Sequence, residues 1–210
     1  MSAKDIHEQL IESARSRSPA LTACIEQNGP IELSPERERP FAEHLCHAVT
    51  GQQLSVKAAA AIWKRVVASA PKDMALIDHF LAIEPDVLRS CGLSRAKVKT
   101  VGAISEAARQ GQLDSAELAM LSHAERTKRL TVLWGIGLWT ADMMSIFYFG
   151  DPDIWPDGDL AARKTLEQLT SKRRKTVRTA ARFAPYRSYL ALHMWQYSDA
   201  MPDTSSDSLS

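Results

Sequence analysis

The stretch Leu133–Asp142, LWGIGLWTAD, sets two glycines around one isoleucine and follows them at once with an apolar run. Glycine tolerates positive φ and lets other backbones come close. Gly135 and Gly137 therefore predict a tight hairpin between two helices, with Ile136 plugged back into the core. The first amides of the second helix have no intrahelical acceptor and lie at the positive end of its dipole. An anion such as a phosphate can bind there. A plain inter-helix turn with no ligand also accounts for Gly-x-Gly, and the three residues alone do not choose.

Outward from the hairpin, almost every periodic segment reads helical. Helices are predicted over 4–15, 19–27, 73–82, 84–90, 95–109, 115–120 and 123–132 before the hairpin, and over 138–149, 159–168, 171–183 and 186–197 after it. Phe41, Leu45 and Val49 recur at i, i+4, i+8 on one helical face that Gly51 ends. Ser55 is a good N-cap for a helix carrying Val56, Ala60, Trp63 and Val67 along one face. GPIELSPERERP, after the second helix, reads as a connector, and GDPDIWPDGD as a loop. No alternating strand and no fixed-period repeat is evident, so the expected fold class is all-α.

The 210 residues suit one large domain or two intimately packed small ones, and 45% hydrophobic residues is enough for a real core. The net charge of +1 does not announce a polyanionic partner. Local charge does more. Arg163, Lys164, Lys172, Arg173, Arg174, Lys175, Arg178, Arg182 and Arg187 stand against Glu167 alone in their stretch, an asymmetry that suits either one positive face or ordinary solvated helix. Cys24, Cys46 and Cys91 are too scattered for a disulfide framework or a CxxC site. His44 and His47 lie at i, i+3 but bring no third ligand, so no metal is expected on side chains. The N-terminus lacks the apolar core of a secretory signal, and no apolar run is long enough for a membrane span. An intracellular protein is the expectation, in bacterial cytoplasm or nucleoid, or in a nucleus.

Three separated segments change the weight of Gly-Ile-Gly. LWGIGLWTADMMSIFYFGDPDIWPDGDLAARK, GQQLSVKAAAAIW at 51–63 and RSYLALHMW at 187–195 stand in the order of the helix–hairpin–helix DNA glycosylase superfamily. The chain resembles that family over roughly residues 40–197, and within it the 3-methyladenine DNA glycosylase II branch. Trp134 departs from the pattern, standing where the family usually has proline. The resemblance implies two helical subdomains with the active-site cleft between them; at 210 residues the chain is too short to expect the extra N-terminal β-rich domain of some members. The expected division is N-terminal helices supporting the core over 1–39, the glycosylase core over 40–198 and, from the polar composition of DAMPDTSSDSLS, a disordered tail over 199–210.

The resemblance also implies residue roles. Gly135, Ile136, Gly137 and Thr140 form the hairpin that binds DNA. Gln53 and Leu54 are candidates for the wedge that fills the space left by a flipped nucleotide; a turn with Leu54 buried is the other reading. WPDGDL places the catalytic carboxylate at Asp159, with Asp157 its neighbouring competitor. Asp159 reads equally as an N-cap for the helix beginning LAARK, and both roles can hold together. Such a carboxylate stabilises the oxocarbenium character of a breaking N-glycosidic bond and can activate the attacking water. Trp139 occupies the slot where bifunctional relatives carry a lysine, so simple hydrolysis is implied. Trp139 and Trp195 are the candidate stacking walls for a cationic base, with Tyr189 and Trp155 as further pocket candidates or core residues.

Together these imply a monofunctional glycosylase acting on alkylated purines in double-stranded DNA. It would work as a monomer, without an organic cofactor or a membrane, with a monovalent cation held by hairpin backbone carbonyls. The alternatives are a non-catalytic binder of damaged or distorted DNA and a bifunctional glycosylase/lyase for oxidised bases. Asp159 counts against the first and Trp139 against the second.

Overall fold

A computed structural model describes residues 1–201, and among them every regular element is helical. Along the chain run α1 (Ala3–Arg15), α2 (Pro19–Asn28), α3 (Phe41–Gly51), α4 (Val56–Ala68), α5 (Leu76–Ala82), α6 (Pro85–Ser90) and α7 (Arg95–Arg109). There follow α8 (Ser115–Met120), α9 (His123–Thr131), α10 (Leu138–Met143), a π-helical turn (Met144–Tyr148), α11 (Leu160–Leu169), α12 (Thr176–Ala180), a short 3-10 turn and α13 (Arg187–Ala200). Ser2, Ser18, Ser55, Ser94, Asp114, Ser122 and Asp159 each accept from a first-turn amide. These caps satisfy donors that the helices themselves cannot.

The helices form two units. One joins Met1–Ser34 to the chain from Gly150 onward. In it α1 packs on α2, and α13 packs on both α2 and α11. Ile6, Leu10, Leu21, Ile25, Leu166 and Met194 are among the residues of its core. Each such side chain contributes roughly 1.5–3 kcal/mol on full burial. The Ser18 hydroxyl, besides capping α2, donates to the Leu169 carbonyl at the end of α11.

The other unit, Pro35–Phe149, is continuous in sequence. Here α3 and α5 both pack on α7, and α9 packs on α10 across the hairpin. The Phe41, Leu45 and Val49 face of α3 is buried as its spacing predicts. Phe41 meets Tyr148 edge-on, with ring centroids 5.0 Å apart.

The structure corrects several expectations. On α4 the buried line is Trp63 and Val66, whereas Val56 is 88% exposed and Ala60 and Val67 face solvent. Val56 is the first helical residue, and Trp63 turns its ring onto His47 of α3, 5.0 Å away. The helix expected over 138–149 keeps α geometry only to Met143 and then widens. The carbonyls at the end of that π turn are taken up by the segment leading into α3. Glu36 N donates to Phe147 O (2.8 Å), and the Arg37 guanidinium reaches the Tyr148 and Phe149 carbonyls. Residues 171–175 are not helical. Four adjacent cations would load like charge onto one helical turn, and the Ser171 hydroxyl instead accepts from Arg173 N (3.2 Å). Asp199 and Ala200 complete α13, and the rest of the expected tail, from Pro202, lies outside the described residues. Cys24, Cys46 and Cys91 are free and buried, and burial raises the Cys24 thiol to about 11. Among the described residues no helix is long and apolar enough to cross a membrane.

Candidate active site

The two hairpin glycines do different things. Gly135 has φ +83°, and a Cβ there would lie 2.1 Å from Thr100 Oγ1 on α7. Gly137 has ordinary extended backbone (φ −100°, ψ 177°), and a Cβ there would meet nothing within 4 Å. Ile136 between them is buried, and its amide closes the turn on Leu133 O (3.1 Å). α10 then starts with Ala141 N donating to Gly137 O (3.1 Å). Braces on its far side hold it to α9. His123 Nε2 lies 2.9 Å from Asp142 Oδ1, and Arg126 Nη1 donates to Ser145 Oγ (3.1 Å). The buried Arg126 guanidinium also lies over the Phe149 ring at 4.1 Å.

Trp134, the departure from the family pattern, is 45% exposed with Lys99 Nζ 4.2 Å over its ring. A cation–π contact to α7 thus occupies the indole face. Trp139, in the first turn of α10, is 36% exposed. Among the described residues no group of His, Cys, Asp or Glu could hold a metal. The Leu133 carbonyl of this turn accepts from Ile136 N. His44 and His47 instead make ring contacts with Tyr148 and Trp63, and burial lowers the pKa of both.

The expected wedge is an exposed turn at the end of α3. Gln53 adopts φ +58°, which costs a non-glycine residue on the order of 1 kcal/mol. Leu54 is 41% exposed rather than buried. Two contacts over-determine this turn. Lys97 Nζ, from α7, donates to the Thr50 and Gln52 carbonyls at 2.8 and 2.7 Å, capping the end of α3. Desolvation draws the Lys97 pKa below the usual lysine value. Gln52 Nε2 donates to Thr140 Oγ1 (3.0 Å), tying the wedge turn to the hairpin helix. Thr140 is buried, so its hydroxyl serves this tie, not a surface contact. Nothing in the sequence around Lys97 marked it out; its partners lie some forty-five residues away along the chain.

In the other unit the structure sorts the acidic loop. Asp153 is locked by Arg187, whose Nε and Nη2 donate to its two carboxylate oxygens at 2.7 and 2.9 Å. Those bonds hold the Asp153 pKa below the ordinary carboxylate value. Ser188 pins the same loop, donating to Asp151 O (2.6 Å) and accepting from Ile154 N (3.0 Å). Asp157 is exposed and accepts from Thr176 Oγ1 (3.1 Å). Asp159 is half-buried and caps α11, accepting from Ala162 N (2.8 Å). Trp195 Nε1, from α13, donates to the same Oδ1 at 2.9 Å. Asp159 and Trp195, read from two distant motifs, are thus brought together by direct hydrogen bonding. Tyr189 is half-buried with Tyr186 edge-on at 6.1 Å, and desolvation raises its pKa. Trp155 is buried in the core of its unit. Arg187 and Ser188, which open the RSYLALHMW segment, hold the loop by contacts that residue types and spacing do not reveal.

Comparison with known proteins places these features in a context. Residues 46–184 match the family described as HhH-GPD superfamily base excision DNA repair protein. DNA-3-methyladenine glycosylase 1 of Schizosaccharomyces pombe is 33% identical over 172 residues, covering 79% of this chain and 75% of the relative. The alkylbase DNA glycosidase-like protein mag2 of the same organism is 28% identical over 183 residues, covering 83% and 86%. Among solved structures, the S. pombe 3-methyladenine DNA glycosylase Mag1 in complex with abasic DNA superposes with a TM-score of 0.80 at 27% identity. That match covers 93% of this chain and 97% of the other.

Proposed function

Because the chain belongs to the HhH-GPD superfamily of base excision DNA repair proteins, we propose that it is a monofunctional DNA glycosylase. It flips alkylated purines of the 3-methyladenine and 7-methylguanine type out of duplex DNA and hydrolyses their N-glycosidic bond. The observation that carries the reading is the Asp159 carboxylate, fixed at Oδ1 by the Trp195 indole and the Ala162 amide. The name of the 33% identical relative and the abasic DNA bound to Mag1 support the same chemistry.

In this reading the Gly135–Gly137 hairpin receives a DNA phosphate on the amides that open α10. A monovalent cation on the hairpin carbonyls would add positive charge beside that phosphate. Gln53 and Leu54 enter the stack as the nucleotide leaves it, offsetting part of the few kcal/mol that flipping costs. The Trp139 indole face favours a cationic base by about 0.5–2 kcal/mol. The C1′–N bond then breaks with the electron pair leaving on the base, which already carries positive charge and needs little acid help. Asp159 stabilises the positive sugar and takes the proton from the attacking water. Free base and an abasic site result, with no amine at Trp139 to cut the strand. The chain acts as a monomer in the compartment that holds the genome.

The test is Asp159→Asn, which keeps an N-cap oxygen and an acceptor for Trp195. Single-turnover base release from a 7-methylguanine duplex should fall by roughly 10²–10⁴, with the melting temperature nearly unchanged because Asn caps about as well as Asp. Release at the wild-type rate would overturn the assignment. Wild-type binding without release from both 3-methyladenine and 7-methylguanine duplexes would overturn the function.

A further inference from the structure

Away from the Asp159–Trp195 centre, the unit formed by Met1–Ser34 and the chain from Gly150 holds a cavity of about 920 Å³. Its cations are Arg17, Arg173, Arg174, Lys175, Arg178 and Arg182, and hydroxyls of Ser16, Thr170, Ser171 and Thr179 complete the lining. No acidic and no aromatic side chain lines it.

Elsewhere several arginines are paired with carboxylates: Arg187 with Asp153, and Arg109 with Glu106 at 2.7 Å. In this cavity only Arg17 is tethered, its guanidinium donating to Ser13 O and Ser16 Oγ and lying 5.9 Å from the Phe183 ring centroid. The side chains of Arg173, Arg174, Arg178 and Arg182 make no ion pair or hydrogen bond among the described residues. A chain of net charge +1 has therefore gathered mutually repelling cations around one concavity. Such an arrangement is relieved by a polyanion. Guanidinium forks match phosphate oxygens two at a time, and hydroxyls add neutral donors. The cavity falls in the size range of small-molecule pockets, far larger than one phosphate. The absence of aromatic walls leaves nothing on which a base would stack.

We propose that this cavity is a second, sequence-independent site for the phosphodiester backbone of DNA, distinct from the hairpin. The proposal rests on the reading that the protein acts on DNA. Of the basic run 172–175, Arg173, Arg174 and Lys175 line the cavity.

The test measures binding of the full chain to an undamaged duplex from about 50 to about 200 mM salt. In the triple variant Arg173→Ala/Arg174→Ala/Arg178→Ala the slope of log K against log salt should fall by roughly 2–3, some 0.9 per lost phosphate contact. A control removing equal charge elsewhere, Lys4→Ala/Lys64→Ala/Lys72→Ala, should change it by less than one contact. If the cavity variant lowers the slope no more than the control, the proposal fails. Pyrophosphate should raise the melting temperature of the wild type and not that of the cavity variant; equal rises in both also overturn it. Should the alanine variant fail to fold, the Arg→Gln version at the same positions is measured in its place. The two readings fail separately. A wild type that excises base while the slope is unmoved by the cavity variant loses only the second site. A wild type that releases no base while the slope falls as expected loses only the glycosylase reading.

Discussion

Gly135 and Gly137 look alike in the sequence and are not alike in the fold. Alanine at Gly135 must adopt φ +83° and force Thr100 off its position on α7. Gly135→Ala should cost about 2–4 kcal/mol, the sum of left-handed backbone strain and overpacking, read as a lower urea midpoint. Gly137→Ala meets no such obstacle and should stay within about 0.5 kcal/mol of wild type. In the proposed function the space beside Gly137 is where the DNA backbone approaches. Duplex affinity of Gly137→Ala should therefore fall by roughly 10–100-fold, the equivalent of one charge-assisted hydrogen bond. Undiminished affinity would remove the hairpin from the DNA contact. The sequence could not separate the two glycines, because the difference is Thr100, contributed by another helix. The same limit applied at Asp159. Its position after WPDG made a cap and a catalytic role readable together, but not the indole N–H aimed at its carboxylate. Trp195 was legible as an aromatic near the site and illegible as a hydrogen-bond donor to Oδ1.

At the scale of elements, the turn proposed as the wedge depends on a helix that contributes nothing to its sequence. Lys97 holds the Thr50 and Gln52 carbonyls, and Gln52 in turn holds Thr140. Lys97→Met leaves two carbonyls without their donor and should lower stability by about 1.5–3 kcal/mol. The sharper readout compares substrates. Base release from a fully paired duplex should fall more in Lys97→Met than release of the same lesion from a mismatch, where less stacking must be replaced. Equal losses on both would mean that Lys97 supports only the fold. Where a helix carries its own instructions the sequence was sufficient. α7 runs from Arg95 to Arg109 as its periodicity predicts, beginning after the Ser94 cap. The failures came where a neighbour decides. α4 buries Trp63 as expected, its ring on His47 of α3, but turns Val66 inward in place of Val67. The helix after the hairpin widened where the Glu36–Arg37 segment supplies donors to its carbonyls. Residues 171–175 have good helix formers but no apolar member to anchor them, and their mutual repulsion decided the outcome.

At the scale of the whole molecule, buried imidazoles set the response to acid. Burial pushes His193 down to about 4 from an ordinary 6.5 and also lowers His44. Both therefore stay neutral to lower pH in the folded chain than in the unfolded chain, which takes up protons near 6.5. Between 6.5 and 4 the unfolded state binds more protons, so stability falls as pH falls through that window and is fully present above it. His193 alone contributes up to about 3 kcal/mol of this loss. The urea midpoint should therefore drop between about pH 7 and about pH 5, before Asp153, held below the usual carboxylate range by Arg187, begins to titrate. A midpoint that is level across that interval contradicts neutral buried imidazoles. The division of the chain has a further consequence, for the order in which the protein is made. Pro35–Phe149 is contiguous and can complete its core while synthesis continues. Ile6, Leu10, Leu21 and Ile25 leave the ribosome before that stretch, yet their partners Leu166, Leu190 and Met194 are added only after it. α1 and α2 must wait with an apolar face uncovered until α13 arrives, so the unit that carries Asp159 closes after the other.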